Sequence, residues 1–105
     1  MNKAVELFTA VPKLHNCAQA VADGAGNREL SCRMAICGSG KAPLGRCGAL
    51  HAALCLVPAE KHADLIAEFT AAAGFETCRE IKGAEKPFPC VECVRVAAEL
   101  VEKYQ

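Results

Sequence analysis

The sequence predicts a small all-α protein, a single cysteine-rich domain over residues 1–105 that folds as a bundle of about five to seven helices. Apolar residues recur at helical spacing along most of the chain, and Gly and Pro divide it into short segments. No stretch of useful length alternates between apolar and polar residues as a strand would. Because 52% of the residues are hydrophobic and Trp is absent, we expect one core built mainly from Ala, Val and Leu.

The first half of the chain predicts three helices from their start and stop signals. A short first helix ends before Pro12, and a second begins near Asn16 and ends at the turn Asp23–Gly26. A third runs from about Asn27 to Cys37, where a Gly-rich loop follows.

The second half predicts four more helical segments. One starts near Cys47 and ends before Pro58, and the next covers residues 59–73, followed by the glycine expected just past a helix C-terminus. A short helical turn spans residues 77–83. The last helix follows the Pro-Phe-Pro segment at 87–89 and is expected to present Val91, Val94, Ala98 and Val101 to the core.

The charge balance and hydropathy pattern exclude two classes of partner. Lys and Arg number 12, as do Asp and Glu, so no basic surface is expected for a nucleic acid. No run approaches the roughly 20 apolar residues of a membrane-spanning helix. The N-terminus also lacks the apolar region of a secretory signal. We therefore expect a cytoplasmic protein that binds neither nucleic acid nor membrane.

Eight cysteines are the part of the sequence most closely tied to chemistry. In a reducing cytosol a cysteine-rich chain indicates metal binding or redox chemistry rather than a framework of structural disulfides. Eight cysteines are also more than one four-ligand site needs. We therefore expect some of them to be ordinary core residues, Cys32 above all.

Four of the cysteines stand where helices are expected to begin. The segment Asn16–Gln19 has the residue types of a capping box, and Thr77–Glu80 repeats the pattern. Pro89 precedes Cys90, and a loop that contains Gly45 leads into Cys47. The four are Cys17, Cys47, Cys78 and Cys90.

The start of a helix is a favourable place for a thiolate. Its first N–H groups are unpaired and carry the positive end of the helix dipole, which lowers the pKa of a thiol there. We therefore expect these four cysteines to be thiolates that act as redox-active catalytic groups or as metal ligands. We also expect their sulfurs to gather at one site, because helix starts aimed at one point create a positive pocket.

Other residues could join this site. Cys93 forms a C-x-x-C pair with Cys90 on one helix face, which suits a redox pair or a cofactor ligand as well as simple core packing. His51 and Cys55 share a helical stripe with Cys47 and could form a strip of ligands, although such residues more often pack at a core edge. Cys37 could be reactive at a helix end. The other two histidines, His15 and His62, are expected at the surface.

The order and spacing of these motifs resemble the C_GCAxxG_C_C family of redox-active bacterial and archaeal proteins. The resemblance covers most of the chain. Two features depart from the family pattern: Ala52 replaces the last glycine of the second motif, and Cys55 and Cys93 are additional. The matching stretches are His15–Val21, Gly45–Leu50, Thr77–Ile81, Cys90 and Val94–Glu99.

The resemblance implies that Cys17, Cys47, Cys78 and Cys90 are the functional set, with redox or metal chemistry and no named substrate. The leading prediction is a redox-active or electron-transfer protein that works by dithiol–disulfide exchange or through an Fe–S centre, together with a redox partner protein. Two alternatives stay open: a non-redox module that holds zinc or another metal, and a helical interaction domain whose cysteines only pack. Whether the chain is itself an enzyme or accompanies an oxidoreductase is left open.

Overall fold

The computed structural model describes residues 3–10, 15–36, 45–84 and 88–104. Within these ranges the chain is built from short helices joined by tight connections. The helices are α1 (Lys3–Thr9), α2 (Cys17–Gly24), α3 (Arg28–Arg33), α4 (Gly48–Leu56), α5 (His62–Ala73), α6 (Cys78–Gly83) and α7 (Cys90–Tyr104).

Seven α-helices and no strand among the described residues confirm the predicted all-α class. Two predicted helices differ in detail. The third is shorter as an α-helix, because it tightens into a 3-10 turn over Met34–Ile36. The fifth begins with a 3-10 turn over Ala59–Lys61 before α5 starts, as helix ends often do. Gly74 caps α5 in the left-handed conformation, with φ of 92°.

Small side chains allow the central helices to approach one another closely. α2 and α4 each bury three alanines completely, and α2 packs against both α1 and α4. α7 is the longest helix and packs across α1, α2, α4 and α5. As predicted, Ala, Val and Leu dominate the core. The largest fully buried side chains are Val21, Leu50, Leu65, Phe69 and Val94.

The buried face of α7 is broader than predicted. Val94 is buried as expected, whereas Val91 and Ala98 are only half-buried. Ala97 and Cys93 lie in the core instead. Because α7 contacts helices on several sides, its inward surface is wider than the single stripe that spacing alone predicts. This orientation directs Cys93 into the protein.

Gly24 brings α1 and α2 into contact at their backbones. A Cβ atom built on Gly24 would lie 2.8 Å from the backbone nitrogen of Ala4 and 2.9 Å from its Cα. No side chain fits in that space, so the close approach requires glycine. α1 is thereby held against the end of α2. No helix in the described part of the chain is long and apolar enough to cross a membrane.

Candidate thiol cavity

A β-bridge places the starts of α4 and α6 side by side. Arg46 and Thr77 pair in antiparallel fashion, and the N–H of Cys47 donates to the carbonyl of Glu76 at 2.8 Å. The Arg46 guanidinium adds a contact of 3.4 Å to the Glu76 carboxylate. Cys47 and Cys78 directly follow the bridged residues. The pairing therefore brings two helix-start cysteines, 31 positions apart in the chain, to one end of the bundle.

Asn16 fixes the start of α2 and thereby the position of Cys17. The predicted capping box is present: the Gln19 N–H donates to Asn16 Oδ1 at 2.8 Å, and the Asn16 N–H donates to Gln19 Oε1 at 3.0 Å. The Asn16 side-chain amide also donates to the carbonyls of Met34 at 3.0 Å and Ala35 at 3.2 Å. One side chain thus caps α2 and ties it to the end of α3.

The start of α7 carries two further cysteines, Cys90 and Cys93. Cys90 is its first residue, and the carbonyl of Pro89 accepts hydrogen bonds from the N–H groups of Glu92 at 2.9 Å and Cys93 at 3.1 Å. Cys93 therefore lies one helical turn beyond Cys90. The preceding proline has no N–H to leave unpaired at this helix entrance.

The starts of α2, α4, α6 and α7 surround a cavity of about 140 Å³. All four cysteines predicted at helix starts line it, and so does Cys93. Apolar walls come from aromatic and aliphatic side chains of α1, α6 and the segment before α7. The lining residues among those described are Phe8, Asn16, Cys17, Cys47, Gly48, Cys78, Ile81, Lys82, Phe88, Cys90 and Cys93.

The five cysteines differ in depth. Cys47 and Cys93 are 5% and 3% exposed, whereas Cys17, Cys78 and Cys90 are partly exposed. Interaction with Cys47 is the largest cause of the shifted pKa of Cys17, and Cys17 and Cys93 are the two largest causes of shift at Cys47. Cys47 is thus coupled to a partly exposed thiol, Cys17, and to a buried one, Cys93. No disulfide joins any pair of the described cysteines.

The expectation of lowered pKa values is wrong for Cys17 and Cys47. The hydrogen bond with Cys47, followed by burial, raises the pKa of Cys17 well above its ordinary value. The hydrogen bond with Cys17 lowers the pKa of Cys47, but the hydrogen bond with Cys93 and burial raise it more, to about 12. Backbone N–H groups at the start of α4 do reach both sulfurs, as predicted, but their effect is smaller. Both groups are protonated at neutral pH.

Lys82 is the one charged side chain among the described residues that line the cavity. It lies one turn after Cys78 on α6. Electrostatic interaction with Cys90, and next with Cys78, raises the pKa of Lys82. The exposed side of the cavity therefore combines a cation with two cysteines, and sequence analysis did not identify this lysine. The signal available was its spacing of four residues from Cys78.

Five thiols have the right chemistry for zinc or an Fe–S cluster, since both bind thiolate sulfur. Their placement does not match a metal site. Within the described ranges, no three side chains of His, Cys, Asp and Glu lie together in a way that could hold a metal ion. An Fe–S centre or a zinc ion therefore stays a prediction, and no chemistry is derived through either.

The other candidate thiols lie away from the cavity. Cys32 is exposed on α3, so its predicted place in the core is wrong. Cys55 is also exposed, with its Sγ 3.9 Å from Nε2 of His51, while Cys47 faces the cavity from the start of the same helix. This stripe does not form a three-ligand metal site. Cys37 lies outside the described residues.

The two remaining histidines are not at the surface as expected. The side chain of His15 is 15% exposed, and its Nε2 lies 2.7 Å from the Asp23 carboxylate, which also pairs with Arg28 at 3.2 Å. His62 is half-buried, with its Nε2 3.2 Å from the carbonyl of Val57. Both contacts are local and hold helix ends in place. Periodicity could not anticipate them, because each depends on how neighbouring helices pack.

Comparisons with protein-family models, with curated proteins and with solved structures give no match to this chain. The resemblance to the C_GCAxxG_C_C family therefore stays a prediction from the motifs.

Proposed function

We propose that this protein is a thiol–disulfide redox protein, in which cysteines around the cavity are oxidised to a disulfide and reduced again. The observation that supports it best is the gathering of thiols. Five of the seven described cysteines line one cavity, although they are spread from residue 17 to residue 93. Cysteines that only filled the core would be expected to scatter through it rather than line one cavity.

The placement of the described side chains favours this proposal over metal binding, because no three of their His, Cys, Asp and Glu groups lie together in a way that could hold a metal ion. In the metal-free protein, neighbouring thiols and burial raise the pKa values of Cys17 and Cys47, so both are protonated at neutral pH. Neighbouring thiols that are protonated at rest suit a couple whose reduced form is stable.

The reaction is a two-electron exchange. Two cavity thiols form one sulfur–sulfur bond and give up two protons and two electrons to a disulfide of a redox partner, whose two sulfurs leave as thiols. Reduction runs the same steps in reverse. In a cytoplasmic location the surrounding thiol pool would keep the protein mainly reduced. A redox partner protein is therefore part of the proposal.

The proposal is tested by equilibrating anaerobically purified protein with mixtures of oxidised and reduced glutathione that cover a wide range of ratios. Remaining thiols are then alkylated and each cysteine is read by mass spectrometry. We expect cavity cysteines to lose thiol character together and reversibly, while exposed Cys32 stays alkylatable. The matched control is Cys32→Ser, which removes a cysteine outside the cavity and should leave the redox titration unchanged.

Metal content is measured on the same sample by elemental analysis and visible absorption. If the cavity cysteines stay reduced at every ratio of the redox buffer, the proposal is wrong. Stoichiometric zinc, or iron with a visible absorption band, bound through these cysteines would overturn it in favour of a metal site.

A further inference from the structure

Three of the thiols that line the cavity come from three different helices: Cys17 at the start of α2, Cys47 at the start of α4 and Cys93 on α7. Cys47 and Cys93 are buried, and Cys17 is partly exposed. Interaction with Cys47 is the largest cause of the shifted pKa of Cys17, and interaction with Cys93 raises the pKa of Cys47. The three helices pack directly on one another, so their spacing is fixed by the core. The C-x-x-C motif makes Cys90 and Cys93 the redox pair that sequence spacing alone would suggest, with core packing of Cys93 as the alternative.

We infer that Cys47 is the shared sulfur of two alternative disulfides, one with Cys17 and one with Cys93, and that the C-x-x-C pair is not the redox couple. The inference rests on the proposed function and specifies its chemistry. Cys47 can bond only one partner at a time, so the two disulfides exclude each other. The remaining thiol always lies beside the bond that has formed.

The two disulfides interconvert without any net oxidation. When Cys17 and Cys47 are joined, the sulfur of Cys93 loses its proton and attacks the sulfur of Cys47. A bond forms between Cys47 and Cys93, the bond to Cys17 breaks, and the sulfur of Cys17 leaves as a thiolate that takes up a proton. The disulfide thereby moves between α2 and α7 while Cys47 stays in place.

The two proposed disulfides differ in which oxidant can form them. Cys47 and Cys93 are almost fully buried, so the disulfide of a folded partner protein cannot reach them directly. A cavity of about 140 Å³ has room for a small molecule, so direct oxidation of this pair needs a small thiol oxidant that accepts two electrons and two protons. A partner protein reacts instead at the partly exposed Cys17: the Cys17 sulfur displaces one sulfur of the partner's disulfide, and Cys47 then displaces the other to form the Cys17–Cys47 bond.

The test uses diamide, a small azo compound that takes two electrons and two protons from a pair of thiols and becomes a hydrazine. Full-length protein is oxidised anaerobically, quenched by alkylation, and mapped by mass spectrometry of linked peptides. In the wild type we expect Cys17–Cys47 and Cys47–Cys93 links, never both in one molecule. Cys17→Ser should leave only the second link, Cys93→Ser only the first, and Cys47→Ser neither.

Far-UV circular dichroism confirms that each variant is folded. If Cys47→Ser does not fold, the opposite link patterns of Cys17→Ser and Cys93→Ser decide the matter. A Cys90–Cys93 or Cys78–Cys90 link as the main product in the wild type would overturn the role of Cys47 and leave the proposed function standing. Oxidation that produces no link among the cavity cysteines would contradict both.

Discussion

Lys82 gives the thiol cavity a positive charge at its exposed side, where Cys78 and Cys90 are also accessible. A cation beside cysteines attracts negatively charged reagents and stabilises the thiolate that attacks them. The lysine is exposed, so its effect is moderate and weakens as salt is added. We therefore expect Lys82 to affect the rates at which these cysteines react with charged reagents more than it affects the stability of the fold.

We predict that Lys82→Gln slows the reaction of Cys78 and Cys90 with an anionic aromatic disulfide by about 3- to 10-fold at low salt. The rate with a neutral dipyridyl disulfide should change little, because no charge is attracted. Lys82→Arg is the matched control and should behave like the wild type with both reagents. Stopped-flow absorbance in a Cys32→Ser, Cys55→Ser background measures the rates. Equal slowing with the two reagents would contradict an electrostatic role.

At Cys17 and at Cys47, opposing local effects act on the pKa of the thiol. The start of a helix favours the thiolate, whereas burial and a neighbouring thiol favour the protonated form. Burial and the neighbouring thiols have the larger effect here. Sequence analysis identified the helix start correctly, but it could not include the neighbours, since they come from distant parts of the chain.

The rate of alkylation at each cysteine should depend on its exposure and on the pKa of its thiol. At neutral pH we predict that iodoacetamide labels Cys32 much faster than Cys47, because Cys32 is exposed whereas Cys47 is buried with a pKa of about 12. The labelling rate of Cys47 should keep rising as the pH is raised beyond the ordinary range for a thiol. Mass spectrometry of tryptic peptides gives the rate at each cysteine. Fast labelling of Cys47 at neutral pH would show that its thiol is ionised.

At the scale of the helices, the element boundaries follow closely from capping residues and breakers. Asn16, Thr77 and Gly74 occupy the cap positions that their residue types predict. The sequence does not indicate which elements contact one another. The pairing of Arg46 with Thr77 involves one residue on each side, too little to produce an alternating pattern. Yet this pairing brings Cys47 and Cys78 together.

The contact of α1 with α2 depends on one glycine. We predict that Gly24→Ala lowers the free energy of unfolding by about 1–3 kcal/mol, because the added methyl group meets the backbone of Ala4 rather than a movable side chain. Gly83→Ala is the matched control: nothing lies within 4 Å of its added Cβ atom, so a change of less than about 1 kcal/mol is expected. Urea unfolding followed by circular dichroism compares the two. Similar losses in both variants would argue against the clash.

At the scale of the whole molecule, fold class was the easier prediction and the site the harder one. Helical spacing and breakers depend on neighbours in sequence, and they sufficed to predict the seven α-helices seen in the described residues. The gathering of five cysteines depends on how four helix starts meet, which only packing determines. The helix-start argument and the family resemblance both selected four of these cysteines in advance. Neither contained the information that identifies Cys47 as central or Lys82 as a neighbour.

The protonated cavity thiols couple the stability of the fold to alkaline pH. In the unfolded chain the Cys47 thiol ionises near its ordinary pKa of 9.0, whereas in the folded protein it stays protonated up to about 12. Its stabilising contribution is therefore complete below pH 9.0 and is lost as the pH rises toward 12. The loss amounts to about 1.4 kcal/mol per pH unit for one thiol.

We predict that the wild type loses more stability than Cys47→Ser between about pH 9 and about pH 11, because serine does not ionise there. Urea unfolding in the presence of a reductant at several pH values measures the difference. Lysines and the tyrosine titrate in both proteins, so their effect cancels in the comparison. Parallel pH profiles for the two proteins would mean that the Cys47 thiol ionises equally in the folded and unfolded states.

The bridge between Arg46 and Thr77 has a consequence for how the chain can vary. Together with the hydrogen bond from Cys47 to Glu76, it closes α4 and α5 into a loop of chain that is pinned at its base. The base lies beside the cavity, whereas the connection between α4 and α5 around Pro58 lies at the opposite end of α4 from Cys47. Insertions at that connection would lengthen the distal tip and leave the spacing of the sulfurs unchanged. The tip is thus the place where relatives of this chain could acquire partner-specific segments without altering the chemistry at the base.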